Sequence, residues 1–146
     1  MAVRAFSTED GNLQSSIVSS RTRDYSDIDL TFTNRPSGDV YKKTDAAAVK
    51  QAVKNLLMTS RFEKPFQPNY GANLNSALFA LDTEFDPEYI SGLITDSIEN
   101  YEPRARVLNI TLNNKPQYNS LDVTVEFQVV NTNEIVEVQV SLARLR

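Results

Sequence analysis

The sequence predicts an α+β fold: three helices packed on one face of a small antiparallel sheet that ends in a C-terminal β-hairpin. Three observations carry this reading. Apolar residues recur at helical spacing through the middle of the chain, as in Val49, Val53, Leu56 and Leu57. From Leu108 onward they recur at every second position. The helical patterns all precede the main strand patterns, which is the order of an α+β protein rather than of parallel βαβ units. With 146 residues, 40% of them hydrophobic and 23% charged, the chain is long enough to bury one core.

Residues 1–24 are polar and Ser-rich, so they are expected to form a flexible N-terminal arm, either a disordered tail or a segment that orders on a neighbour. The single α+β domain is expected to span residues 25–146. Ile28, Leu30 and Phe32 alternate with Asp27, Asp29 and Thr31, which predicts a short half-buried strand. Asn34 to Asp39 reads as turn and loop. Thr44 is placed to cap a helix from about Asp45 to Ser60, with Asp45 near the positive end of its dipole. Val49, Ala52, Val53, Leu56 and Leu57 share its inner face, and Met58 falls opposite.

Asn73 is placed to cap a short second helix with Leu74, Ala77, Leu78 and Leu81 inward. Asp86 caps a third, with Pro87 at its first position, where the missing N–H is harmless. Ile90, Leu93, Ile94, Ile98 and Tyr101 form its predicted stripe, and Pro103 stops it. The strands follow. Leu108, Ile110 and Leu112 alternate with polar residues, then Leu121, Val123, Val125, Phe127 and Val129, then Val136, Val138, Val140 and Leu142. Asn131 to Asn133 makes the tight connection of the last pair. Such alternation implies one face on the helices and one face in water.

Composition removes whole classes of chemistry. The chain has no Cys and no His, so thiol catalysis, disulfides, zinc fingers and His-dependent triads are excluded. Its net charge of -4 argues against a nucleic-acid partner. No apolar run is long enough for a membrane span, and the first residues lack a signal-peptide shape, so synthesis in a cytoplasm is expected. No cofactor, metal or small-molecule substrate is expected.

Glycoside hydrolysis needs only two carboxylates, and Asp96 and Glu99 lie three apart on the third helix. Both point away from its apolar stripe. The aspartates and glutamate of Asp82 to Asp86 open like a calcium loop, but Pro87 and Leu93 occupy the positions that need Gly and Glu. Neither pattern makes an active site.

Three other segments invite a functional reading. Glu102 and Arg104 flank Pro103, and extended backbone throws residues two apart to the same side. They form either an exposed ion pair at a helix stop or a forked clamp for a partner. The stiff loop Pro65 to Gly71 carries Phe66 and Tyr70, expected to fold back on the core unless one is presented to a partner. The last strand, Glu134 to about Arg144, has no Pro or Gly to blunt an edge. It is either an edge open to strand addition or a covered, central strand.

The Pro-Phe-x-Pro-x-aromatic-Gly loop (Pro65 to Gly71), the Glu-Pro-Arg motif (Glu102, Pro103, Arg104) and the opening Tyr25-Ser26-Asp27-Ile28-Asp29 together resemble the GPW-like baseplate wedge family of contractile-tailed phages. That family also includes a component of the type VI secretion baseplate. The resemblance runs from about Tyr25 to the C-terminus. It implies a sheath initiator in the tail baseplate of a virion, with other wedge subunits and the tail sheath protein as partners, and tail tube or hub proteins as further candidates. It also implies contacts to the wedge core at Glu102, Pro103 and Arg104. Phe66 and Tyr70 add a second candidate contact, and Val136, Val138, Gln139 and Val140 a strand for sheath addition. Members of the family are also labelled lysozyme-like, which makes a tail-associated peptidoglycan hydrolase the alternative; the outward acids favour a non-enzyme.

Overall fold

The alternating segments near the C-terminus form an antiparallel sheet, and the helical patterns cover one face of it. The computed structural model describes residues 25–79 and 86–143. In order they form β1 (Ser26–Ile28), β2 (Lys42–Thr44), α1 (Asp45–Met58), α2 (Leu74–Phe79), α3 (Pro87–Tyr101), β3 (Ala105–Lys115), β4 (Ser120–Val129) and β5 (Ile135–Ala143). β1 and β2 make a separate two-stranded ribbon, and the main sheet has the order β3-β4-β5. The expected arm 1–24, the inward Leu81 and most of the rejected calcium loop lie outside the described residues.

β4 is the centre of the core because it is the central strand and one whole face of it is apolar. Leu121, Val123, Val125, Phe127 and Val129 are all buried, joined by Val138 and Val140 of β5. α1 lies over β5 and α3 over β3, while the short α2 touches β5. Val49, Val53, Leu56 and Leu57 of α1 and Ile90, Ile94 and Ile98 of α3 fill the layer between. Met58 is exposed on the far side of α1, as its position on the helix requires.

Local signals place the helix ends. The Asp86 carboxylate accepts from the backbone N–H of Glu88 at 3.0 Å and of Tyr89 at 3.4 Å, with Pro87 at the first position. α3 stops at Tyr101, before Pro103, and the Glu102 N–H closes its last turn onto Ile98 O at 2.7 Å. Thr44 occupies the N-cap position of α1, but its side chain makes no capping bond. Instead the Asp45 N–H donates to Tyr25 O at 2.6 Å, so the start of β1 does the capping.

Four further expectations are corrected. Ile28, Leu30 and Phe32 do not form a half-buried strand: β1 ends at Ile28, and all three side chains are exposed. The Asp29 carboxylate takes the Thr31 N–H at 3.1 Å and Asp29 O takes the Phe32 N–H at 3.2 Å, which bends the chain into a turn. Leu108 is exposed because the register slips between Val107 and Asn109, and this bulge throws one residue out of the alternation. On α3, Ser97 is buried, while Tyr101 in the last turn stays 37% exposed. The fourth concerns Asn73: it sits at φ +52°, and its side-chain amide bonds Ser76 Oγ at 3.1 Å rather than a backbone N–H of α2.

Candidate assembly surfaces

The Glu-Pro-Arg corner is where α3 becomes β3. Pro103 disfavours helical geometry in Glu102, which sits at φ -133° and ψ 69°. Glu102 and Arg104 do project to the same side, and they bind each other. Arg104 Nε donates to Glu102 Oε1, and Arg104 Nη2 donates to Oε2 at 2.6 Å, a forked pair. Glu102 is only 6% exposed, so this is no exposed ion pair. The guanidinium also lies 5.2 Å over the Tyr25 ring. Its pKa is raised, chiefly by the bond to Glu102. Sequence reasoning placed the two residues side by side but missed Tyr25 as their third member.

In the Pro65 to Gly71 loop the two aromatics take opposite courses. Tyr70 is half-buried, edge-on to Tyr101 with ring centroids 5.2 Å apart, and the Lys64 ammonium sits 4.1 Å over its face. Burial, then the Glu102 charge, raises its pKa. Phe66, by contrast, does not fold back: it is fully exposed, at φ +66°. Phe62, which sequence reasoning did not single out, has the same habit, with φ +67° and 79% exposure. Gly71, at φ +106°, lies so close to Thr59 that a Cβ would stand 2.3 Å from that residue's carbonyl oxygen. Only the absent side chain lets the loop close there.

β5 is an edge strand: it pairs with β4, and no other strand pairs with it among the described residues. Its backbone can be oriented from the register. Val129 N–H donates to Glu134 O at 2.9 Å, which makes that pair a hydrogen-bonded one. Bonded and non-bonded pairs alternate along an antiparallel ladder. The Thr124 and Gln139 partners are therefore a non-bonded pair, and the Gln139 N–H and C=O point away from β4. Val138 and Val140 are buried and Val136 half-buried against the helices, so the side chains face the core while the edge faces out.

Asp96 and Glu99 are both exposed on α3. Of the clefts, one of about 390 Å³ is lined by Pro87, Glu88, Ser91, Ile110 and Leu112, with a single carboxylate. A smaller one, of about 210 Å³, lies on the wet face between Asn109, Thr111, Thr124, Glu126 and Glu137, open and without the apolar walls of a ligand pocket. Among the described residues no group of side chains is arranged to hold a metal ion, and no helix is long and apolar enough to cross a membrane.

The family model of baseplate wedge protein gp25 matches residues 43–134. The chain belongs to that family. The matched residues take in both the Pro65 to Gly71 loop and the Glu102 to Arg104 corner, and they end just before β5. Baseplate wedge protein gp25 of Enterobacteria phage T4 is 28% identical over 122 residues, covering 82% of this chain and 91% of the relative. Two solved structures share the fold of this gp25-family chain. A chain of the anti-feeding prophage baseplate matches with a TM-score of 0.58 at 18% identity, covering 82% of this chain and 86% of its own. A protein described as a tail lysozyme, from Geobacter sulfurreducens, matches with a TM-score of 0.58 at 18% identity, covering 67% and 89%.

Proposed function

We propose that this chain is a structural subunit of a contractile tail baseplate wedge, located in the virion tail, and that β5 is the template on which the first sheath subunits add a strand. Membership of the gp25 family and the description of the T4 relative support the baseplate role. The observation that carries the sheath role is the outward edge of β5. Its side chains are anchored in the core while the Gln139 N–H and C=O face away from β4. An incoming strand would satisfy those groups by main-chain hydrogen bonds. The partners are then other wedge subunits, the sheath protein, and tail tube or hub proteins.

Gln139→Pro tests this reading. It removes the outward N–H while leaving the β4–β5 bonds and every buried side chain in place. The variant is expected to enter baseplates but give tails without sheath, whereas Gln139→Thr, which keeps the donor, supports sheath growth. Normal sheath on Gln139→Pro baseplates would remove β5 from the mechanism.

The likeness to a protein described as a tail lysozyme motivates the second reading, peptidoglycan hydrolysis. Asp96 and Glu99 lie exposed on α3, not within an enclosing cleft. A turbidity assay on cell walls is expected to show no clearing; clearing abolished by Asp96→Ala or Glu99→Ala would establish the enzyme.

A further inference from the structure

Phe62 and Phe66 stand in a conformation that bulky L-residues avoid, and both rings stand in water. A flexible loop would relax the backbone and fold the rings inward. This one is closed by Phe62 N–H to Pro68 O at 2.9 Å, Gln67 N–H to Lys64 O at 3.3 Å and Tyr70 N–H to Gln67 O at 3.1 Å. It is seated at Gly71 against the Thr59 carbonyl. The aromatic pair is thus held outward by the fold.

The loop follows directly on α1 in the chain. Lys50, Lys54 and Met58 follow one another at four-residue intervals and are all exposed, about 100° round the helix from the buried row Val49, Val53 and Leu57. Arg61 and Phe62, both exposed, follow just beyond the end of α1. Between residues 50 and 64 the chain has four basic side chains against one acid, although its net charge is -4. That acid, Glu63, accepts the Ser60 N–H at 2.8 Å. Lys50, Lys54 and Arg61 have no ion-pair partner among the described residues.

From this we infer that the outward stripe of α1 and the Phe62–Phe66 loop form one docking surface for an acidic segment of a neighbouring protein that carries apolar residues at helical spacing. The rings and Met58 supply the apolar anchors, and the cations choose the partner by charge complementarity. An anionic membrane would also attract cations and aromatics. The net negative charge of the whole chain opposes that, and so does the rigidity of the two rings. This surface is separate from the β5 edge and does not depend on its sheath role.

The test places a photo-crosslinking benzoylphenylalanine at position 66 of the full chain in the cells that produce it, and sequences the captured peptide. The expected product is a segment of net negative charge with apolar residues three and four apart. Its yield should fall about tenfold in the Lys54→Glu/Arg61→Glu variant, whose helix content is checked by circular dichroism. A basic or uncharged segment, capture of lipid, no product, or a yield indifferent to the charge reversal would each overturn the inference. Gln139→Pro is expected to leave the crosslink unchanged, so failure here and failure of the β5 reading are read separately.

Discussion

At the scale of single residues, the two phenylalanines show that exposure and backbone strain have a common origin. Left-handed backbone costs a bulky L-residue about 1–2 kcal/mol, and Asn tolerates it better. Phe66, fully exposed at φ +66°, has no packing to offset that cost. Phe66→Asn is therefore expected to stabilise the isolated chain, raising its melting temperature by roughly 2–4 °C. At the same time it should weaken capture of the proposed acidic partner by a benzoylphenylalanine placed at position 62. A lower melting temperature would mean that the ring packs on the chain after all. That Phe66 turns outward was not legible in the sequence. Its αL backbone goes with the hydrogen bonds that close the loop, such as Phe62 N–H to Pro68 O, which hydrophobic periodicity does not report.

At the scale of elements, the wet face of the sheet carries its own cross-strand ties. Asp122 of β4 faces Asn113 of β3 and Ser141 of β5. It accepts from Lys115 Nζ at 2.6 Å and from the Ser141 hydroxyl. Lys115 first, then Ser141, lowers its pKa below the ordinary 3.8. In the ribbon Asp29 is lowered likewise, chiefly by the Thr31 N–H. A carboxylate lowered in the folded state adds stability that is complete above its unfolded pKa and is lost as the pH falls through the folded one. Melting temperatures should therefore drop as the pH goes below 3.8, and Asp122→Asn should flatten that drop. A variant profile as steep as the wild type would show that the Asp122 bonds contribute nothing to the sheet. The existence of these strands was legible from their period of two. Leu108 was not, because one inserted residue at a bulge leaves the pattern of apolar residues looking regular.

At the scale of the whole molecule, polar contacts from Gln51 and Arg104 help join the segment around the β1–β2 ribbon to the core. Gln51 of α1 donates to Ile28 O at 2.8 Å and accepts from the Leu30 N–H at 3.3 Å. Arg104 binds Glu102 beneath it and stacks on Tyr25 at the ribbon's start. Removing Arg104 strips a buried carboxylate of its partner, a loss of about 1–3 kcal/mol. Arg104→Ala is expected to lower the melting temperature, and Glu102→Gln/Arg104→Ala to recover part of the loss, because no buried charge is then left unpaired. If Arg104→Ala melts like the wild type, the pair does not hold the chain together and its role lies with partners alone.

The sequence by itself determined the elements and the faces that want burial. Asp86 and Pro87 start α3, Pro103 ends it, and the alternation from Leu121 to Val129 marks the wall of the core. Each is a short-range effect, set by one residue's backbone preferences or by simple periodicity. Tertiary structure alone decided which of those faces are covered. Ile28, Leu30 and Phe32 carry a burial pattern, yet they stay exposed because β1 ends at Ile28 and the chain turns at Asp29. Glu102 and Arg104 became an internal pair because the start of β1 comes back over them. The position of β5 at the edge depends on which strand β4 accepts on each side. Periodicity states which side chains seek burial; the packing of distant segments sets how much surface there is to bury them against.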